Sequence, residues 1–411
     1  MASYISSNAN RFYTGLESSY GQTPAITAQN RFPAVKLTAK NQLEKADRRD
    51  KTGSRTFVGI PVGLRRTTSF DLTTYMTSWG GQSSGPSYGP LFQASMGAAP
   101  AMYAGGAAAA GSTGTSLVFA APHGLVAGQG VSCNGEIRFV TAIASAAAVQ
   151  VNAPFSSAPT AGTEVAPCIS YFLATALPSV SIFDYWDPST ALQRILCGAA
   201  VNKMTVTING DFHTFEFNGM AQDLLDSSSF TAGEGQLTGF PVEPALAAFD
   251  YSIVPGNMGE AWLGIAPSKF YTITSGTFQL DNGLDMRSKE FGTNLPLAIA
   301  PGPRTVTAAF SLYELDDTAT QGLYQAARQQ SPVSVMFQLG QQTGQVVGVY
   351  MMSVVPLDPS PVRGSHGLLP RSSADGPVLL CSDSRFARST IAATDVKQLL
   401  LDLALGEGAT T

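Results

Sequence analysis

The chain has 411 residues, a formal net charge of -5 and 13% charged residues, with Gly 41 and Pro 25. That length can bury more than one sizeable core, and an apolar share of 44% argues against disorder. The acidic balance argues against general nucleic-acid binding through a basic face. Three histidines (His123, His213, His366) leave little material for imidazole chemistry, so an enzyme is the less favoured class.

The N-terminal Met1-Ala2-Ser3-Tyr4-Ile5 lacks the basic and apolar regions of a signal peptide, and no continuous apolar run reads as a membrane span. The first predicted strand is Ala34–Leu37, followed by a polar loop over Glu44–Arg66. An alternating strand over Thr67–Met76 puts Phe70 and Leu72 on one face, and a short helical turn falls at Leu91-Phe92-Gln93-Ala94. Between Met96 and Val201 lie a Gly/Ala stretch (Ala104–Gly114) and a compact β-like block, Leu117–Pro167, with a turn at Pro122–Leu125. These read as an inserted β-module over about 105–170. Strands are then predicted over Met204–Ile208 and Phe212–Phe217, joined by Asn209-Gly210, a two-residue hairpin signal.

A Ser/Gly/Pro-rich boundary at Ser227–Ala248 precedes a second set of the same elements. Strands run from Tyr271 through Thr274 and over Phe278–Leu280, followed by a loop over Asp285–Arg304 and a strand over Thr305–Leu315. A helical turn at Leu323-Tyr324-Gln325-Ala326 and β-rich runs over Val333–Leu339 and Gln345–Val355 complete it. Near the C-terminus, Val396, Leu399, Leu400 and Leu403 take helical spacing within Asp395–Leu405.

The two sets echo each other at nearly constant spacing. Arg49-Asp50-Lys51 corresponds to Arg287-Ser288-Lys289, Gly63 and Arg65 to Gly302 and Arg304, Phe70-Asp71-Leu72 to Phe310-Ser311-Leu312, and Leu91-Phe92-Gln93-Ala94 to Leu323-Tyr324-Gln325-Ala326. Matches in one order point to a tandem duplication, with domains 1–230 and 231–411 and the insertion in the first.

No catalytic residue, metal site or cofactor is assigned. Gly81-Gln82-Ser83-Ser84-Gly85 fits the nucleophile-elbow spacing, but no helix signal follows it and no histidine is placed by a family signature, so it reads as a loop. Gly128-Gln129-Gly130 and Gly233-Glu234-Gly235 lack a Walker lysine and read as turns. His213 reads as a strand residue. Asp281 and Asp285 flank a turn without calcium-loop spacing. Cys133, Cys168, Cys197 and Cys381 form no CxxC pair and read as buried thiols.

Charge is more informative. Lys36, Lys40, Lys45, Arg48, Arg49, Lys51, Arg55, Arg65 and Arg66 face only Glu44, Asp47 and Asp50 in their segment. By contrast, Met204–Glu260 holds Asp211, Glu216, Asp223, Asp226, Glu234, Glu243, Asp250 and Glu260 with no Lys or Arg. Either these are two solvated surfaces, or the basic loop of one subunit meets an acidic surface on the next and registers an assembly.

The runs RFYTGLESSYGQTPAITAQNRFPAVKLTAK (11–40) and ADRRDKTGSRTFVGIPVGLRRTTSFDLTTYM (46–76) resemble the opening of tail tube (major tail) proteins of long-tailed bacteriophages, and LDNGLDMRSKEFGTNLPLAIAPGPRTVTAAFSLYE (280–314) resembles a second copy. The resemblance implies a mainly β fold: two tandem β-sandwich or half-barrel domains, each with a short flanking helix. It implies edge-to-edge packing into a pseudo-six-fold ring, with three two-domain chains per ring and the rings stacked into a hollow tube. Lys45, Arg48, Arg49, Lys51, Arg55, Arg65, Arg66, Arg287, Lys289 and Arg304 then occupy the places of the loops that reach the adjacent ring. The implied partners are the chain itself, tape measure protein and phage DNA in the lumen, and tail terminator and baseplate proteins at the ends. No membrane is involved, and the location is the virion tail, assembled in the host cytoplasm. An acidic lumen would repel phosphate and let DNA slide, and the insertion is expected on the outer surface. Other readings are a baseplate hub, another tail ring, or a decoration or adhesin protein; a hydrolase comes last.

Overall fold

A computed structural model of the chain describes residues 4–45, 50–55, 63–79, 85–246, 252–264, 268–270 and 272–357. These belong to a unit spanning Met1–Asp358; a second unit, Pro359–Thr411, lies outside the described residues, and with it the helix expected at Asp395–Leu405, His366 and Cys381. Arg48, Arg49, Asp250, Tyr271 and most of the Gly81–Gly85 loop also lie outside them.

The fold is mainly β. The chain opens with β1 (Asn10–Leu16), β2 (Arg31–Phe32), β3 (Ala34–Leu43), β4 (Arg66–Tyr75) and helix α1 (Gly89–Met96). In β4, Thr68, Phe70, Leu72 and Thr74 are buried while Ser69 and Asp71 are exposed, the period-2 pattern of a half-buried strand. Helix α1 carries a proline in its first turn and stops at Gly97, where φ is 105°.

After β5 (Ala101–Tyr103) the inserted module follows: β6 (Gly106–Ala107), β7 (Ser116–Val118), β8 (Gly130–Cys133), β9 (Glu136–Ser145), β10 (Ala148–Val151) and β11 (Glu164–Ala166). They form a six-stranded sheet, ordered β6-β11-β8-β9-β10-β7, around a core of its own that includes Leu117, Val131, Val149 and Val165. β12 (Cys168–Ser170) then returns to pair with β5.

The main sheet is completed by β13 (Val180–Trp186), β14 (Arg194–Ile208), β15 (Thr214–Ala221) and β16 (Asp223–Asp226). The 15-residue β14 is its spine. One edge of β14 pairs with β13 and, farther along, with β19 (Ile273–Asp281); the other pairs with β16 and then β15. Gly198, at φ 61°, sits where β15 gives way to β16; Gln222 N–H donates there to the carbonyls of Cys197 and Gly198. A side chain at residue 198 would be strained in that left-handed conformation and would run into Gln222.

The second half adds β17 (Gly259–Gly264), β18 (Ser268–Lys269), β20 (Asp285–Arg287), β21 (Ala298–Ala300), β22 (Thr305–Leu312), α2 (Thr318–Gln329), β23 (Val333–Leu339) and β24 (Val347–Val354). β22 pairs with β19, so strands from both halves share one ten-stranded sheet, while β18-β17-β23-β24 form a separate four-stranded one. Asp317 caps α2, its carboxylate accepting from Thr320 N–H at 2.7 Å.

Most predicted strands are found, with one exchange of turns. The two-residue turn expected at Asn209-Gly210 is instead a longer loop, with Thr207 and Thr214 the last paired residues. Phe212 leaves the sheet to bridge Pro255 and packs edge-on against Tyr75 at 5.4 Å, and His213 is buried with Nε2 2.7 Å from Met258 O. Segment 255–258 docks across the turn and holds it open. The tight Asn-Gly turn lies in the module instead: Asn134 and Gly135, both at positive φ, join Cys133 to Glu136. Cys133, Cys168 and Cys197 are free and buried, and burial pushes each thiol up to about 12.

Candidate assembly surfaces

Six strands of the main sheet run in the antiparallel order β3-β4-β15-β14-β19-β22, and their registers align residues into rows. The row Leu37–Leu72–Phe217–Met204–Leu280–Val306 faces the core. On the opposite face run Lys36–Thr73–Glu216–Thr205–Gln279–Thr307 and Thr38–Asp71–Asn218–Lys203–Asp281–Thr305. Hydroxyls and amides dominate this face. Lys36, Lys203 and, one row on, Lys40 balance Glu216, Asp71 and Asp281. Among the described residues, no strand pairs with the outer edge of β3, β22 or β24. Unpaired rows of N–H and C=O groups are templates for further strands.

The two long loops meet each other. The Arg65 guanidinium donates to the carbonyls of Lys289 and Glu290, each at 3.3 Å, and Arg66 N–H donates to Asn294 O at 3.0 Å. Arg66 also pairs with buried Asp223 at 2.7 Å; burial pushes that carboxyl upward, and Arg66 pulls it part of the way back. Arg304 donates to Asn282 Oδ1 and to Ala174 O. Of the ten loop cations, Arg65, Arg66 and Arg304 thus tie the chain to itself. Lys45, Lys51, Arg55, Arg287 and Lys289 are exposed, Arg287 beside Asp285 at 3.1 Å.

The acidic stretch is also largely engaged inside the chain. Glu243 binds Arg11 at 2.6 Å and accepts from Tyr13 Oη at 2.8 Å. Burial alone would raise its pKa, but these donors win and hold it below the usual carboxylate range. Hydrogen bonds from Ser228 and Ser229 hold Asp226 down at about 2. Glu260 pairs with Lys269 and with Arg138. Asp211 and Glu216 remain exposed.

Three buried residues that the sequence did not single out position these surfaces. Glu17 accepts from Gly21 N, Gly198 N and the hydroxyls of Ser179 and Ser181, fixing β1 against β13 and β14. Asn282, half of a turn signal in sequence, is buried and donates to Ser95 O and Val201 O, pinning α1 to the junction of the two halves. Arg138 is fully buried, between the rings of Phe155 (5.2 Å) and Trp262 (5.1 Å), and pairs with Glu136 at 2.8 Å and Glu260 at 3.4 Å. Only the neighbouring aromatics and acids reveal such a role, and they come from distant parts of the chain.

An apolar cleft of about 1330 Å³ lies between β24 and the apolar side of β19 and β22, with Phe278, Leu280 and Val306 on one wall and Val347, Val349 and Met351 on the other. No helix among the described residues is long and apolar enough to cross a membrane. A search of curated proteins returned no match. A mainly β chain whose long sheet offers free edges, a polar face and a paired loop arm agrees with the family that matches over residues 7–377: the chain belongs to the phage tail tube protein family.

Proposed function

We propose that this structural tail protein assembles into stacked pseudo-six-fold rings, each of three chains with two tandem tube domains, and that the stack is the hollow conduit for phage DNA. The observation that carries this reading is the six-stranded antiparallel sheet, with outer strands unpaired among the described residues and a polar, charge-balanced face. Neighbouring copies add at the β3 edge and at the second-half end of the sheet, since a contact between two different edges propagates and closes into a ring when the rotation allows. The polar face then lines the lumen. Balanced charge, rather than the acidic excess expected from the resemblance, serves the same end: without net positive charge it offers phosphate no counterion-release grip, and threonine hydroxyls leave a wetted wall. Tape measure protein shares that lumen, terminator and baseplate proteins meet the ends, and assembly takes place in the host cytoplasm.

The loop arm is the proposed ring-to-ring contact, through Lys45, Arg48, Arg49, Lys51, Arg55, Arg287 and Lys289, with Arg65 and Arg66 holding its two strands of chain together. Negative-stain electron microscopy of the purified protein tests the assembly: hollow tubes of uniform diameter are expected, and monomers at every concentration would overturn it. Reversing Arg48, Arg49 and Lys51 to Glu is expected to slow tube growth, most visibly at low salt where exposed charges are least screened. Light scattering that tracks the parent at low salt would remove the charge mechanism while leaving the tube.

A further inference from the structure

The two halves use corresponding hairpins differently. In the first, β15 pairs with β4 along its whole length, so the β14–β15 hairpin extends the sheet. In the second, β24 and β22 each keep an edge unpaired among the described residues, and the β23–β24 hairpin instead lies across the apolar side of β19 and β22, bordering the 1330 Å³ cleft. The cleft is partly open, and apolar surface left accessible beside two edges unpaired among the described residues is a place for further association.

β17 pairs with β23 on one side of the hairpin, and the inserted module grips it from another. Gln338 of β23 is buried; its Oε1 accepts from Ile137 N–H at 2.9 Å and its Nε2 donates to Gly135 O at 3.1 Å. Tyr350 of β24 stacks on Phe139 with ring centroids 5.1 Å apart. The surfaces meet so closely that a Cβ added at Gly348 would lie 2.8 Å from the Phe139 ring.

We propose that the β23–β24 hairpin is a latch: the inserted module parks it over the cleft, and when a second copy joins, β24 moves beside β22 and pairs with its free edge. This rests on the tandem and tube readings above. The neighbour supplies the bias when it docks, through its β3 edge, on the sheet end that forms only once β24 lies beside β22. Assembly is thereby coupled to docking on a growing end, and free chains keep one sheet end incomplete.

Hydrogen exchange by mass spectrometry, on the full chain free and in tubes, reads this directly. Tube formation itself, scored first by microscopy, tests the underlying reading separately. In tubes, Thr305–Leu312 and Val347–Val354 are both expected to exchange about tenfold more slowly or better. Protection gained at β22 with β24 unchanged would overturn the latch. Phe139→Ala loosens the grip from a half-buried position outside the module's own core, and should shorten the polymerisation lag by roughly twofold to tenfold, the worth of one aromatic pair. A lag equal to or longer than the parent's would show the module to be a brace instead.

Discussion

The first-half and second-half hairpins start from similar local patterns and end in different packing. Over the first, α1 seals the apolar row: Phe92 packs edge-on against Phe215 at 4.9 Å and Phe217 at 5.6 Å, with Tyr88 beside it. At the matching position of α2 stands Tyr324, whose hydroxyl donates to Glu314 on the exposed side, a bond that pushes the phenol up to about 12. The aromatic that fills the first core therefore turns outward in the second, where Leu323 and Ala326 of α2 pack on the strands instead. One added hydroxyl with an acid in reach is enough to redirect a ring, because burying that hydroxyl unpaired would cost more than the ring's burial returns.

The largest test of this difference is a matched truncation. Phe217→Ala should lose about 3–5 kcal/mol in chemical denaturation, as a sealed core leaves a new void. Met351→Ala, on the wall of an existing cleft, should lose about 1 kcal/mol, since little packing is removed; equal losses would erase the distinction. Next comes Arg138→Met, expected to cost about 3 kcal/mol by leaving Glu136 without its buried partner and Glu260 with Lys269 alone. Its unfolding curve should split, with the second half melting first; a single unshifted transition would mean that the module does not support that half.

Val349→Phe sharpens the comparison from the other side. Filling the cleft should be neutral or stabilising by about 1 kcal/mol, whereas the same change at Val201, in the core away from the cleft (0% exposed), should destabilise.

The smallest expected effect is local and acid-driven. Asp226 titrates at about 2 when folded, below its ordinary 3.8, so its contribution is complete above pH 4 and is lost as the pH falls toward 2; Glu243 shifts in the same direction. Limited proteolysis should find the 227–243 segment opening across that window before the sheet does. A segment equally resistant at pH 5 and pH 2 would show that these carboxylates do not hold it.

Strand existence was legible along most of the sheet because alternation is a local property: Phe70 and Leu72, or Phe215 and Phe217, announce their face regardless of partner. The block of short strands that forms the six-stranded sheet and the long loops were legible for the same reason, as breaks in pattern and charge. Partner choice was not. That β14 pairs with β19, that Arg66 uses Asp223 and that Arg65 clasps the second loop are meetings across long stretches of chain, which no local pattern encodes. The basic loop and acidic stretch stood out by composition, yet which charges stay free depended on burial and on donors brought from elsewhere.

By itself, then, the sequence determined the β-rich class, most of the strands and the tail tube resemblance, because periodicity, turn residues and charge runs act over a few residues. Only the tertiary structure decided which Asn-Gly turned tightly, which cations remained exposed, which edges stayed open among the described residues and where the apolar cleft lies. Those outcomes rest on long-range pairing, whose free energy depends on what the rest of the chain places nearby.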